Sequence, residues 1–478
     1  MDKKYLIKTI ENTDLLLVFA SLSDEELRDL DRFVRSPYFN QREDVILLFD
    51  YLREHAAKKN KQKYLMKTTV FETLYDKSPF EEKKLHYVLS FLLKIIYNYF
   101  SISKLEQNKI EKQELLCKTL RQKHLENLFH KELKKAHEAI ENQPLRNAKY
   151  HEKKANLHYE FYENESYQRR EKDLQLQEWS NEITYSSIIN ILRQAWLMLS
   201  HKKVIKREYD FLLLEQVLIY VENNNFEQFP EIKVYYHLYK MLNSKGEHHD
   251  YREVHTNLVN NWQYFLPNEL RNITLSIINY CSQAMRDDIA FRQEGLNIYK
   301  FALSREVLLE NSILPAYTYR NIVTLAVGVK DFEWVFDFIH TFKNKLSAEK
   351  QETFFTYCLS NYYFRTHDYK KAQRLLSQVD LKDTLLNFDS KRILLMIYYE
   401  NQEFDALDAL LTSFKSLVQQ HTEVSDLHKN LTINMINMIK KMLNNDLTSK
   451  KIRKDLLEEV ENTTIIAERE WFIQQLKK

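Results

Sequence analysis

The fold is decided by one stretch, FFTYCLSNYYFRTHDYKKAQRLLSQV, which runs from Phe354 to Val379. Leu359, Tyr363 and Phe364 recur at helical spacing. A polar-aromatic turn, His367-Asp368-Tyr369-Lys370-Lys371-Ala372, then opens a second apolar series at Leu375, Leu376 and Val379. Apolar residues three and four apart share a helix face, so the stretch predicts two amphipathic helices folded back on each other. Glu403-Phe404-Asp405-Ala406-Leu407 repeats the turn 35 residues later, Asp331-Phe332-Glu333-Trp334-Val335 precedes it by 37, and Asp250-Tyr251-Arg252-Glu253-Val254 is a more distant echo. A single helix pair cannot bury its apolar face alone, so recurring pairs stack on their neighbours.

Composition excludes most alternatives. The 478 residues include 3 Gly and 6 Pro, against about 33 and about 24 at average usage. Sandwiches, barrels and doubly wound sheets need turns with positive φ, and phosphate loops need several close glycines. Gly246, Gly295 and Gly328 lie far apart, which leaves no dinucleotide fingerprint and no P-loop. Hydrophobic residues are 44% and aromatics 13%, enough for a large core. Lys and Arg number 70 against 68 Asp and Glu, a net charge of +2, so no strong single-sign field marks a dedicated nucleic-acid surface. Cys117, Cys281 and Cys358 are widely spaced within apolar stretches, which favours free thiols in a reducing compartment over a disulfide framework or a zinc knuckle. The apolar run Leu15 to Ala20 follows Glu11 and Asp14 and lacks the features of a signal peptide. Val88 to Ile102 is interrupted by Lys94 and falls short of the ~20 residues that span a bilayer. The expectation is a cytoplasmic protein with no membrane segment.

Ahead of the repeats the pattern is less regular. Ser23-Asp24-Glu25-Glu26 reads as a capping box for a helix carrying Leu27, Leu30, Phe33 and Val34. Pro37 ends that helix, and Asn40 with Glu43 is expected to cap the next, with Val45, Leu48, Phe49 and Leu52. Ser78-Pro79-Phe80-Glu81 predicts a start at Ser78 for a long helix through Leu85, Val88, Leu89, Leu92, Leu93, Ile96 and Tyr99. Helices near 105–121 and 123–142 complete a block of about six, and Asn142-Gln143-Pro144 breaks it. The expected organisation is an N-terminal helical domain over 1–142, helical repeats over 148–420 and terminal helices over 421–478 that cap the array.

The turn Asp368-Tyr369-Lys370-Lys371-Ala372 resembles that of a tetratricopeptide repeat, with Tyr369 at the aromatic position and Ala372 where the paired helices approach closely. Leu407 stands at the second of these positions in the next repeat, and Ser360 replaces the family's first-helix glycine. The likeness is good over about 315–415. Ser36-Pro37-Tyr38-Phe39-Asn40, Tyr319-Arg320-Asn321-Ile322-Val323, and Ile397-Tyr398-Tyr399-Glu400 ahead of Phe404-Asp405-Ala406-Leu407 resemble an uncharacterised family of bacterial helical-repeat proteins. The resemblance implies an all-α fold: an N-terminal helical bundle, then antiparallel helix pairs wound into a right-handed superhelical solenoid. It also implies a concave groove lined by Arg320, Tyr357, Asn361, Arg365, Arg392, Met396 and Tyr399. Guanidinium groups and an amide there suit a peptide carboxylate or acidic segment; the competing expectation is that these arginines pair with acidic neighbours such as Glu400.

No stretch spells out catalysis. Glu247-His248-His249-Asp250, Glu253 and His255 are the densest metal-capable cluster, but they fall in an expected inter-helix turn without a His-Glu-x-x-His order. His124, His130, His151 and His158 are scattered, no Gly-x-Ser-x-Gly elbow occurs, and no cysteine carries a local catalytic signature. The expectation is no enzyme, no cofactor and no metal. Basic runs at Lys58 to Lys63, Lys202 to Arg207 and Lys450 to Lys454 leave nucleic acid as a second candidate partner, contacted through the N-terminal domain. The leading expectation is a scaffold that binds another protein or a peptide. Gly246 and Gly328, near inter-helix turns, are expected where a helix end needs left-handed backbone, and with so few glycines a ligand is gripped by side chains.

Overall fold

The computed structural model describes residues 9–56, 61–76, 78–166, 173–205, 207–243, 248–285, 288–377, 383–421 and 424–478. Lys58, Lys59, Asn60, Lys206, Gly246, Glu247 and Val379 lie outside them. The fold is all-α; among the described residues there is no strand, only isolated bridges at Thr9–Met66 and Glu310–Ile313. The chain divides into two compact units, residues 1–144 with 148–187, and 145–147 with 188–478.

In the first unit, α1 (Asp14–Ala20), α2 (Asp24–Val34), α3 (Glu43–His55), α4 (Lys61–Tyr64) and α5 (Lys67–Tyr75) precede the long α6 (Glu82–Gln107). Helices α1, α2, α3 and α5 pack on α6, whose Leu85, Val88, Leu92 and Ile96 are fully buried. Among the described residues this one helix is long and apolar enough to cross a membrane, and its buried face forms the unit's core. The capping box opens α2: Ser23 Oγ accepts from the Glu26 amide at 3.2 Å, and Glu26 accepts from the Ser23 amide at 2.8 Å. Two expected caps fail. Asn40 does not cap α3; buried, it donates to the carbonyl of Val34 at 3.0 Å and accepts from the Arg42 amide at 3.0 Å, tying the α2–α3 turn together. Helix α6 begins at Glu82 because Glu81 is extended (φ −121°, ψ 104°), with Phe80 packed edge-on against Phe71 at 5.4 Å and the Glu82 carboxylate on Lys67 at 2.5 Å.

Helices α7 (Lys109–Gln122), α8 (Glu126–Glu141) and α9 (Ala148–Glu165) pack mutually around Cys117, Phe129, Leu133, Ile140, Leu157 and Phe161. Helix α9 buries charge as well as apolar surface. Glu160 meets Arg121 at 2.6 Å, Glu165 meets His130 at 3.0 Å, and His151 meets Glu182 at 2.6 Å on α10 (Leu176–Ile205).

The second unit takes the rest of α10 and continues with α11 (Leu214–Asn223), α12 (Pro230–Asn243), α13 (His249–Asn261), α14 (Pro267–Ala284), α15 (Phe291–Ser304), α16 (Ala316–Gly328), α17 (Phe332–Thr341), α18 (Gln351–Arg365), α19 (Tyr369–Ser377), α20 (Thr384–Glu400), α21 (Phe404–Gln420), α22 (Asp426–Asn444), α23 (Lys450–Asn462) and α24 (Arg469–Lys477). From α12 onward, neighbours pack as α12 on α13, α14 on α15, α16 on α17 and α18, α18 on α19, and α20 on α21, the pattern of a helical repeat.

The repeated turn has one geometry. Lys330, His367 and Gln402 are left-handed, with φ of 64°, 62° and 59°. The next amide donates five residues back each time: Asp331 to Ala326 at 3.0 Å, Asp368 to Tyr363 at 2.8 Å, Glu403 to Tyr398 at 2.8 Å. This 6→1 bond closes the preceding helix as a Schellman motif. The carbonyls of Asp331, Asp368 and Glu403 then accept the first bond of the next helix, from Val335, Ala372 and Leu407. Those three side chains, with Val254 in the distant echo, are fully buried where the paired helices meet. The left-handed residue is thus Lys330, two places beyond Gly328, which ends α16 without a positive φ.

Candidate functional site

The seven expected groove residues lie on three first helices of the repeats, and each is engaged within the chain. Arg320, on α16, pairs with Asp389 on α20 and lies 6.0 Å from the Tyr357 ring. Burial works against the Arg320 charge, but the Asp389 carboxylate outweighs it and raises the guanidinium pKa above its ordinary value. Arg392 also meets Asp389, at 2.9 Å, so one carboxylate bridges two arginines. The Arg392 guanidinium further donates to Thr432 Oγ1 at 2.5 Å, which places α22 over α20. Tyr357 and Asn361 are buried, and Met396 is fully so.

Arg365 and Tyr399 face the α24 segment. Arg365 meets the Glu468 carboxylate at 2.6 Å; burial opposes its charge too, and Glu468 holds its pKa up. Trp471 lies edge-on to Tyr399 at 5.3 Å and donates its Nε1–H to Glu400 at 2.9 Å. Gln475 and Lys478 also donate to Glu400, the latter at 3.0 Å. Two residues beyond Glu468, Glu470 takes both Nη groups of Arg292, at 2.5 and 2.9 Å. Such forked, charge-assisted pairs are roughly twice as strong as neutral hydrogen bonds. The segment reaches this position because Ala467 donates its amide to the Leu431 carbonyl at 3.2 Å, Asn434 holds the Ile465 carbonyl at 2.7 Å, and Glu468 turns the chain with φ 55°. Trp471, Phe472 and Leu476 are buried.

Arg320, Arg365 and Arg392 therefore do pair with carboxylates, but with Asp389 and Glu468 and not with Glu400, whose donors are Trp471, Gln475 and Lys478. The sequence reading missed these partners. The usable signal is Glu468-Arg469-Glu470-Trp471-Phe472, acids beside aromatics where a short helix begins.

The other constellations disperse. His248 meets Tyr280 at 2.8 Å, Asp250 meets His237 at 2.8 Å, and Glu253 lies 3.8 Å from Lys233. No group of three described His, Cys, Asp or Glu residues could hold a metal. Of the basic runs, Lys202 pairs with Glu208 at 2.5 Å and Lys454 lies 3.9 Å from Glu458. A cleft of about 480 Å³ lined by Trp262, Arg271, Arg305 and Glu310 holds the Arg305 guanidinium 4.5 Å over the Trp262 ring, and no Ser, Cys or His lines it. Comparison with protein-family models, curated proteins and solved structures returns no match.

Proposed function

We propose that the chain is a non-enzymatic protein- or peptide-binding scaffold of the tetratricopeptide-like class, recognising a partner through the first-helix face of its repeats. One observation carries the reading: arginines on the helix array, Arg365 at the end of α18 and Arg292 at the start of α15, hold the carboxylates of the terminal helix α24, which packs on α23. The array thus already grips a short helical segment by side chains, as the scarcity of glycine anticipates. The repeated turn at Lys330, His367 and Gln402 supports the class, because identical closures give neighbouring pairs a constant geometry and a pre-organised surface.

The test is selection of displayed peptides on the immobilised full chain, followed by affinity measurement in solution. Arg365→Glu should weaken the selected peptides by about tenfold or more, the scale of one charge-assisted contact reversed, with helical circular dichroism unchanged. Failure to select any peptide, or affinities indifferent to Arg365→Glu, would remove the groove from the function.

A further inference from the structure

Two terminal helices touch the repeats, α22 on α20, and α24 at the last turns of α18 and α20 and at the first turn of α15, and they are held differently. Helix α22 sits over α20 through neutral acceptors: Arg392, whose charge stays paired with Asp389 on its own helix, donates to Thr432 Oγ1 at 2.5 Å and to the His428 carbonyl at 3.4 Å. Helix α24 packs on α23 and meets the array through two ion pairs, Arg365 with Glu468 at 32% and 27% exposed and Arg292 with Glu470 at 27% and 46%, and through Trp471, Gln475 and Lys478 on Glu400. Releasing α24 takes the counter-charges from Arg292 and the largely buried Arg365, so a ligand that replaces the helix has to return them. The apolar residues Trp471, Phe472 and Leu476 are what release would leave uncovered, and an incoming ligand must replace them. The left-handed Glu468 marks the pivot, since Ala467 and Ile465 before it are tied to α22.

We infer that α24 is the groove's own occupant, and that the external partner is an amphipathic helix of the same chemistry, two carboxylates one residue apart followed at once by tryptophan or phenylalanine, which displaces it. This rests on the scaffold reading and names its ligand. Both carboxylates are needed, because Arg365 and Arg292 would otherwise lose their counter-charges, and the aromatic pair is needed to refill the surface beside Tyr399. A tethered helix competes at an effective concentration that reaches the millimolar range, so the partner binds weakly until α24 is loosened.

The experiment uses a fluorescein-labelled peptide of residues 463–478 and the full-length chain. In the double variant Glu468→Lys, Glu470→Lys the chain's own helix faces like charge, and the peptide should bind at least about tenfold more tightly than to the unmodified protein. The same peptide with both glutamates changed to lysine should not bind. If the variant keeps its helical circular dichroism and the peptide does not bind at about 100 µM, a level ordinary peptide ligands saturate, the inference is overturned. A second measurement needs no variant: amides of Trp471–Lys477 should exchange with solvent at least about tenfold faster than those of Tyr357–Arg365, because α24 opens locally. Equal rates overturn it too. Selected peptides that depend on Arg365 yet do not compete with peptide 463–478 leave the scaffold reading standing and this inference refuted.

Discussion

Replacing Lys330 and Gln402 by glycine should make the protein more stable, against the usual effect of glycine. An L-residue in left-handed backbone costs roughly 1–2 kcal/mol, and both residues are held there, at φ 64° and 59°. Neither side chain has a hydrogen bond or ion pair among the described residues, so little is lost on removal. Glycine restores about 0.4–1 kcal/mol of disorder to the unfolded chain, which leaves a net gain of about 0.5–1 kcal/mol per site. The two turns share no partner, so the double variant should gain about 1–2 kcal/mol. At about 2.1 cal/mol/K of unfolding entropy per residue, a unit of roughly 290 residues shifts by about 1.6 °C per kcal/mol, so calorimetry of the double variant should show a rise of about 2–3 °C. His367 is left out because its Nδ1 bonds Tyr369 Oη at 2.9 Å. The control is Arg374→Gly, at an exposed position inside α19, which should melt lower by the ~1 kcal/mol glycine costs in a helix interior. If Lys330→Gly and Arg374→Gly fall together, the repeated turns store no backbone strain and the argument is wrong.

Other outcomes follow from buried contacts and protons. Asp389→Asn leaves Arg320 and Arg392 without their shared carboxylate and should cost about 3 kcal/mol by urea denaturation, whereas Asp29→Asn, from an exposed pair with Arg32, should cost under about 0.5 kcal/mol. Ala372→Leu overfills the contact between α18 and α19 and should cost about 1–3 kcal/mol in the same assay. Burial, with His158 and Lys154 nearby, pushes the His137 pKa from 6.5 down to about 4. The unfolded chain therefore takes a proton the folded one refuses, and stability should fall as pH drops from about 6.5 to about 4, a loss that His137→Gln should reduce in thermal melts. Glu231 has the opposite sign: burial raises its carboxyl pKa from 4.5 to about 7, so its contribution is lost as pH rises through that range. Glu231→Gln should melt above the parent near pH 8 and level with it near pH 4.

The repeated helix pairs were legible because an aromatic turn and a close-packed residue three places on are local features, and Val254, Val335, Ala372 and Leu407 fill that place in fully buried form. The left-handed residue of each turn was not, since with glycine absent from it Lys330, His367 and Gln402 have nothing in common as side chains. Start signals were legible where a single reciprocal bond decides, as at Ser23, and misleading at Ser78, where packing of Phe80 on Phe71 delays the helix. Arg320, Arg365 and Arg392 could be placed on first helices through the likeness of the turns to a tetratricopeptide repeat. Their partners could not, because Arg365 and Glu468 stand 103 residues apart and Arg320 and Asp389 69 apart, separations that leave no periodic trace.

The three cysteines acquire a use from where they are buried. Cys117 sits in the core of the first unit, Cys281 and Cys358 in the second, and burial raises all three thiols, Cys117 to about 11 and Cys281 to about 12. A thiol reacts as thiolate, so these are inert while folded and revert to ordinary reactivity on exposure. Pulsed alkylation read by mass spectrometry would then time the opening of each unit separately, in one unlabelled sample, and show whether a chain of 58.0 kDa comes apart in one event or two.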